Sequence, residues 1–450
     1  MSTDGKILID DIAEDFVIFL KEGEKMDFSS IFQEMDPSLK IINIEKLLRI
    51  HFVLTETDQE GNVGVIQFVQ NLPDRLRRVK TTVKPKTEKY EGEVRGRIKW
   101  NETINLQNNC NSGIPSFICD RIERNYNITE NIILKKVISI IYEIIEYDLK
   151  DAIEGQYSWL HEWIKEDKLK DVVSSLFFKN IYLKRITKDQ DVITEQMITR
   201  AMKSRIPLYR DAAFLLLRYR KLLNFEFDST EAKKILASTF IKPNKVETLF
   251  ELYWIIKLIR HFKELTKDIT FIPLEKGENC VAHWTINGRD YRIFHNSTAN
   301  LILREGIYEN AKALTNKNSF FGRRIRSIEA LQELLETTGL DLWRGRPDII
   351  LEMRNRDQSL IKVLIGEVKY TNNRTYATIG LQELLEYMAL SKQGDGYLEP
   401  FTELFQRHQF VIGCLFTDII PDFTVKGNKI VKAIQFGEDQ KLKMVLDELL

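Results

Sequence analysis

The chain has 450 residues, 43% of them hydrophobic, which predicts two or three domains able to bury a large core. Its 66 basic and 66 acidic side chains give a formal net charge of +0, which excludes a uniformly basic nucleic-acid-binding protein, so contact with nucleic acid would require local basic patches. Four widely spaced cysteines and no apolar run near the roughly 20 residues of a bilayer span predict a cytoplasmic protein without a zinc site, disulfides or a membrane segment.

Residues 1–100 are predicted to form a small α+β region that ends in a basic linker. Residues 61–64 are typical of a turn, and residues 65–69 predict a strand after it. Between residues 75 and 99, ten basic side chains face three acidic ones. Such a stretch could follow nucleic-acid phosphates or serve as a solvated linker, and the sequence leaves both interpretations open.

Residues 101–270 are predicted to form a helical domain. Thr129 has the character of an N-cap, and isoleucines recur after it at helical spacing. Leucines between residues 215 and 223 indicate a bundle core rather than a functional surface. Further helices are predicted near residues 191–204, 208–223, 230–240 and 245–265.

Residues 271–450 are predicted to form the third domain. The Asn287-Gly288 pair predicts the tight turn of a β-hairpin. Residues 297–314 and 325–338 predict two helices. His283 and His295 could lie near a site, but the favoured interpretation is that both are strand histidines with satisfied hydrogen bonds.

Charged residues mark the start of one apolar strand in this domain and the end of the next. Pro347-Asp348 opens the first strand, and the second, residues 361–370, carries Glu367 and Lys369. Because side chains alternate along a strand, Glu367 and Lys369 point to the same face. If the two strands pair as a hairpin, Asp348 lies opposite that end. A divalent cation would then supply the partner that buried carboxylates require.

At these positions the chain resembles the PD-(D/E)XK nuclease superfamily, whose motif corresponds to Pro347-Asp348 and Glu367-Val368-Lys369. The resemblance covers about a quarter of the chain. It implies an α/β protein whose C-terminal, restriction-endonuclease-like mixed sheet is flanked by helices and preceded by the helical domain and the small α+β region. It also implies that Asp348, Glu367 and the Val368 carbonyl hold Mg²⁺ (or Mn²⁺), while Lys369 holds or helps deprotonate the attacking water.

The resemblance implies two further contributions to the site. Gln382, on a helix predicted over residues 378–391, lies where several branches of the superfamily carry a supporting glutamine. A helix before the Pro-Asp strand lends a carboxylate in the resembled fold. The spacing does not choose among the candidates for that carboxylate, which are Glu305, Glu329, Glu333 and Glu336.

Arginines near the motif are candidates for phosphate contacts, because a guanidinium can donate two hydrogen bonds to one phosphate. Ordinary surface charge explains each of them equally well when it is taken singly. The candidates for nucleic-acid binding are Arg323, Arg324, Arg344, Arg346 and Arg374.

These features predict a metal-dependent DNA endonuclease of restriction or antiviral defence. Residues 96–100 with Thr103 resemble the element that precedes the nuclease in McrC-like restriction subunits. This likeness implies a motor NTPase partner, since the chain has no phosphate loop of its own. A homodimer is expected because cutting both strands needs two sites. A nucleic-acid-binding or scaffold subunit with a retired nuclease fold, and a repair or RNA-directed nuclease, are the alternatives.

Overall fold

The structure is a computed structural model. It describes residues 3–35, 43–57, 61–77, 79–109, 114–164, 168–187, 193–241, 244–266, 269–274, 280–306, 320–334, 341–394, 396–398, 410–421, 423, 425 and 431–450. The chain divides into two units: Met1–Leu47 with Phe227–Leu450, and Leu48–Glu226. The first unit therefore combines both ends of the chain, while the division at residues 100 and 270 remains a prediction.

Helices and strands are numbered separately in chain order. The helices are α1 (Gly5–Lys21), α2 (Ser29–Met35), α3 (Ile44–Val53), α4 (Val65–Arg75), α5 (Trp100–Asn109), α6 (Thr129–Glu143), α7 (Lys150–Glu154), α8 (His161–Ile164), α9 (Leu169–Lys179), α10 (Ile181–Lys184), α11 (Glu195–Met202), α12 (Pro207–Leu223), α13 (Ser229–Leu236), α14 (Val246–Leu265), α15 (Phe320–Leu334), α16 (Arg374–Leu390) and α17 (Asp439–Asp447). The strands are β1 (Thr82–Glu91), β2 (Arg97–Ile98), β3 (Ser116–Asn125), β4 (Thr270–Phe271), β5 (Ala282–Ile286), β6 (Arg289–His295), β7 (Arg304–Glu305), β8 (Trp343–Arg344), β9 (Ile349–Arg354), β10 (Leu360–Lys369), β11 (Lys392–Gln393), β12 (Gly396–Tyr397), β13 (Val411–Thr417) and β14 (Val431–Gln435).

A mixed sheet of seven strands lies at the centre of the first unit, in the order β14-β13-β10-β9-β6-β5-β4. Within this sheet the pairs β4–β5, β5–β6, β6–β9 and β9–β10 are antiparallel. The predicted hairpins require this direction of pairing. Strands β10, β13 and β14 pair in parallel. Both β9 and β13 are buried along their whole length. The sequence of β13 is apolar up to its last residue, whereas β9 also buries Glu352 and Arg354, which form an ion pair.

Helices cover both faces of this sheet. Leu415 of β13 belongs to the core formed with α16, whereas the next residue, Phe416, contacts Trp254 of α14 with ring centroids 4.6 Å apart. Because successive strand residues point to opposite faces, α16 and α14 lie on opposite sides of the sheet. The predicted mixed α/β architecture, with a sheet flanked by helices, is confirmed.

The second unit is mostly helical and contains a three-stranded antiparallel sheet in the order β1-β3-β2. Strand β1 takes up ten residues of the basic stretch and is mostly exposed. The strand predicted at residues 65–69 is wrong, because these residues begin α4. Val65, Phe68, Val69 and Leu72 are buried, and this spacing has the period of a helix rather than of a strand.

The helix predicted over residues 297–314 is also wrong where the structure describes it. Residues 304–305 form the short strand β7, and residues 307–319 lie outside the described residues. Buried Glu352 accepts hydrogen bonds from the backbone and side-chain nitrogens of Asn300, at 3.1 and 2.9 Å. These two bonds hold the chain in an irregular conformation that a local sequence pattern does not predict.

Candidate active site

The β9–β10 hairpin brings the predicted carboxylates to one end of the sheet. Ile349 pairs with Gly366 in the antiparallel register, and one further step places Asp348 opposite Glu367. The Asp348 carboxylate accepts a hydrogen bond of 2.7 Å from the backbone N–H of Val368. The side chain of Glu367 is only 3% exposed. The hairpin therefore holds both acids at the point where β9 begins and β10 ends.

Lys369 lies on the same face of β10 as Glu367 and forms two ion pairs. Its ammonium nitrogen is 2.6 Å from Glu367 Oε1 and 2.8 Å from Glu383 Oε2, on helix α16. The ammonium also lies 5.8 Å from the centre of the Tyr376 ring. The lysine is therefore fixed between the strand that carries Glu367 and the helix that covers it.

Glycine at position 380 leaves room for this lysine. A Cβ atom at Gly380 would lie 2.7 Å from Lys369 Cγ and 2.9 Å from Lys369 Cε.

We expect Gly380→Ala to displace the lysine and lower cleavage activity by roughly 10- to 100-fold, while better helix propensity, worth about 1 kcal/mol, maintains the fold. Nuclease assays and thermal unfolding measure the two effects. Ile379→Ala, an exposed change on the same helix, should leave cleavage unchanged.

Burial shapes the electrostatics of the carboxylates. Desolvation, reinforced by the negative charge of Glu251, raises the pKa of Asp348. Desolvation and the charge of Asp348 raise the pKa of Glu367, and the Lys369 ammonium opposes this rise. The pKa of Lys369 is also raised despite burial, because Glu367 and Glu383 stabilise its charged form. The site therefore concentrates more acid than its lysine neutralises.

Three residues that the sequence did not assign extend this acidic cluster. Glu251 of α14 places Oε2 2.8 Å from His295 Nε2, and Glu34 of α2 places Oε2 3.7 Å from the same nitrogen. Desolvation raises the pKa of Glu34 to about 7, while the charge of His295 opposes the rise. Burial lowers the pKa of His295, and the charges of Glu34 and Asp348 oppose this fall. His295 Nε2 has a partner in the acidic cluster, but Nδ1 is buried without a hydrogen-bond partner among the described residues, so the expected satisfaction of this histidine is met at one nitrogen alone.

One feature of the sequence could have identified Glu251 as a functional residue. This acid stands between Phe250 and Leu252, in a stretch of the helix whose neighbouring residues are buried. A charge inside a buried run usually has a partner or a function. Glu34 offered no comparable signal, because it lies in a short amphipathic helix far along the chain from the motif.

Gln382 is not brought to the carboxylates. Its side chain is exposed, and its amide donates a hydrogen bond of 3.2 Å to Glu386 on the same helix. Glu383, one residue later, is the residue of this helix that forms an ion pair with Lys369. The helical step of about 100° per residue explains why neighbouring positions face different surroundings.

We expect a matched pair of variants to separate the roles of Gln382 and Glu383. Glu383→Gln removes one of the two ion pairs of Lys369 and should lower cleavage several-fold, because the ammonium loses part of its orientation. Gln382→Ala should leave the cleavage rate within about twofold of wild type. Steady-state cleavage rates measure both. If Gln382→Ala lowered cleavage more than Glu383→Gln, the result would support the sequence-based assignment of Gln382 to the site.

The candidates for an upstream glutamate have different surroundings. Glu305 forms an ion pair with Lys392 and lies 3.0 Å from the Tyr397 hydroxyl. Glu329 and Glu333 lie on α15, the former half-buried and the latter exposed. Glu336 lies outside the described residues. Desolvation and, after it, the negative charge of Glu251, which is not among these candidates, raise the pKa of Asp348.

Two of the five predicted arginines lie beside this cluster. Arg344 and Arg346 line a cavity of about 430 Å³ together with His295. Arg346 also donates a hydrogen bond to the Asn296 carbonyl. The others do not line this cavity. Arg323 and Arg324 belong to α15, where Arg324 bonds to the Leu342 carbonyl at 3.2 Å, and Arg374 is the exposed first residue of α16.

Comparisons with known proteins leave the family open. No family model and no curated protein matches the chain. Among solved structures, it is similar to a chain from the tetradecameric assembly of Thermococcus gammatolerans McrB AAA+ hexamers with bound McrC, at 10% identity over 92% of this chain and 76% of that chain. The TM-score of this match is 0.21, which is too low to indicate a shared fold. Within the described residues, no helix has the length and apolar character that crossing a bilayer requires.

Proposed function

We propose that this protein is a metal-dependent nuclease that hydrolyses phosphodiester bonds in DNA. The observation that carries the proposal is the meeting of Asp348, Glu367 and Lys369 at one end of the β9–β10 hairpin. A structural ion pair needs one acid for one base, whereas this site holds a second acid that further destabilises the ionised form of the first. Such crowding of desolvated carboxyls is common at functional sites. The PD-(D/E)XK resemblance supports the same conclusion.

The residues fit a hard divalent cation such as Mg²⁺ or Mn²⁺. Glu367 Oε2 is buried and has no hydrogen-bond partner among the described residues, so one carboxylate oxygen remains available as a ligand. Asp348 would supply the second carboxylate and the Val368 carbonyl a third oxygen. When bound, the cation supplies electrostatic stabilisation of the phosphate and a lowered pKa for water.

Lys369 would act as a cationic hydrogen-bond donor. The charges of Glu367 and Glu383 raise the pKa of Lys369 despite its burial, which favours the protonated ammonium in the metal-free site. The ammonium would orient the attacking water and stabilise the charge that develops on the phosphate oxygens. Glu383 would act as its positioning residue.

Arg344 and Arg346 are the proposed contacts to the substrate phosphates. Both line the cavity that also contains His295, and Asn296 in that lining donates its backbone N–H to the Asp348 carbonyl at 2.8 Å. A phosphate held by these arginines would lie next to the residues proposed to bind metal. Arg323, Arg324 and Arg374 remain proposed contacts to more distant parts of the nucleic acid.

Restriction or antiviral defence is the proposed role, with a motor NTPase as partner and a homodimer as the assembly that cuts both strands. The likeness of residues 96–100 and Thr103 to McrC-like subunits supports the partner. The chain itself has no Gly-x4-Gly-Lys-Ser/Thr phosphate loop, so nucleotide hydrolysis would have to come from another protein.

A cleavage assay across substrate classes tests the proposed function. Purified full-length protein is incubated with single-stranded, duplex and branched DNA and with RNA, each with Mg²⁺, Mn²⁺ or EDTA. We expect DNA cleavage with either metal and none with EDTA. Cleavage of RNA or of branched DNA alone would favour the repair or RNA-directed alternative. Binding without cleavage under every condition would favour a retired nuclease fold that serves as a scaffold.

A further inference from the structure

Glu34, Glu251 and His295 come from three separate elements and converge at one point. They lie on α2, α14 and β6, and one ligand atom from each lies within 4.8 Å of the other two. His295 Nε2 is 2.8 Å from the Glu251 carboxylate and 3.7 Å from the Glu34 carboxylate. The His295 side chain is completely buried. This spacing allows one ion to contact all three side chains.

Hydrogen bonds within the cluster leave some of its polar atoms without a partner among the described residues. The imidazole can bridge to one carboxylate through Nε2, yet two carboxylates compete for this position, and the Glu34 and Glu251 carboxyls also contact each other. Glu34 Oε1 is buried and lacks a hydrogen-bond partner in the part of the chain that the structure describes. A structural histidine–glutamate pair would need only one of the acids. Two acids held against each other in a buried place point to a cation between them.

We propose that Glu34, Glu251 and His295 bind a divalent first-row transition metal, in a site separate from the Asp348–Glu367 pair. Two carboxylate oxygens and one imidazole nitrogen suit Mn²⁺, Fe²⁺, Co²⁺ or Zn²⁺, while Mg²⁺ favours ligand sets made of oxygen alone. Three protein ligands leave at least one coordination position for water or substrate. This inference does not depend on the nuclease proposal.

The neighbouring cavity gives an ion a route to the three ligands. His295 and Gln33, the residue before Glu34, both line the cavity of about 430 Å³. Asp27 also lines it, and its carboxylate would attract cations. Arg344 and Arg346 line the same cavity and suit an anion. A phosphate-bearing ligand in this cavity would therefore meet both the proposed cation and guanidinium groups.

Mn²⁺ is the probe for the test, because pulsed electron paramagnetic resonance detects a ¹⁴N nucleus bound to it. The full-length protein is stripped with EDTA and titrated with Mn²⁺ alone. We expect a directly bound ¹⁴N in wild type and its loss in His295→Gln. Glu34→Gln should weaken binding of this ion at least tenfold. His161→Gln, at an exposed histidine paired with Glu162, is the matched control and should keep the signal.

The outcomes separate this inference from the proposed function. Glu367→Gln should abolish cleavage yet keep the ¹⁴N signal, since Glu367 is not one of the three ligands. A wild-type protein that binds Mn²⁺ without ¹⁴N coupling would overturn the inference, as would a signal that survives His295→Gln. Circular dichroism checks that His295→Gln folds. If it does not fold, the more exposed Glu34→Gln decides the question through its Mn²⁺ affinity.

Discussion

Lys369→Ala should abolish detectable phosphodiester cleavage while the protein remains folded. Loss of one preorganised donor to a charged transition state costs about 10²–10³ in rate. This lysine has a second effect, because its ammonium lowers the pKa of Glu367. Without the lysine, Glu367 keeps its proton to a higher pH and becomes a poorer metal ligand, so we expect the total loss to exceed 10³-fold.

The fold should survive this change because the buried carboxylate has an alternative to staying charged. Glu367 can take up a proton once its partner is gone, which limits the cost of an unpaired buried charge to roughly 1–3 kcal/mol. Cleavage rates with saturating Mg²⁺ and thermal unfolding measure the two effects. Lys362→Ala, on the same strand, is the control and should cut at the wild-type rate. Wild-type cleavage by Lys369→Ala would count decisively against the proposed catalytic role.

The sequence predicted the hairpin well because the information is local. Strands β9 and β10 are rich in apolar residues, and a short polar turn joins them. An alternating period of two then determines that Glu367 and Lys369 share a face. The antiparallel register follows from the short connection, and it carries Asp348 to the same end of the sheet. Each step needs only residues close together in the chain.

The rest of the acidic cluster depends on contacts between distant segments. Glu34 and Glu251 reach His295 through tertiary packing of helices on the sheet, and no local pattern encodes that proximity. The difference between Gln382 and Glu383 has a related cause. Both lie on one helix, and only the packing of α16 on β10 decides which of them faces Lys369.

Local patterns also predicted two wrong elements in the described residues. Residues 65–69 form a short apolar run that suits either a strand or a buried helix, and length decides between them. The helix α4 extends to Arg75, beyond the window that suggested a strand. The sequence of residues 297–306 suggested a helix, but buried Glu352 accepts a hydrogen bond from the backbone N–H of Asn300. A buried side chain 52 positions away thus overrides local propensity.

The metal-free protein should lose stability as the pH rises from about 5 to 8. Four carboxyl groups, those of Glu34, Glu251, Asp348 and Glu367, have pKa values raised by burial. The folded state therefore binds more protons than the unfolded state in this range, and the free energy of unfolding falls with pH. Glu34, whose pKa is raised by desolvation from 4.5 to about 7, titrates inside this range. The lowered pKa of His295 gives an opposite slope below pH 6.5.

A divalent cation should reverse this trend, because it replaces protons at carboxylates that are costly to ionise. Mn²⁺ at a hundred times its dissociation constant would raise the free energy of unfolding by about 2.7 kcal/mol per site, and the gain should grow with pH. Urea unfolding at pH 5.5, 6.5, 7.5 and 8.5, with EDTA or with Mn²⁺, measures both effects. The double variant Glu34→Gln with Glu251→Gln should weaken the pH dependence, since two of the four carboxyl groups are then amides that do not titrate. A metal-free stability that rises over this range would show that these carboxyls ionise freely, and the cluster would then have no need of a cation.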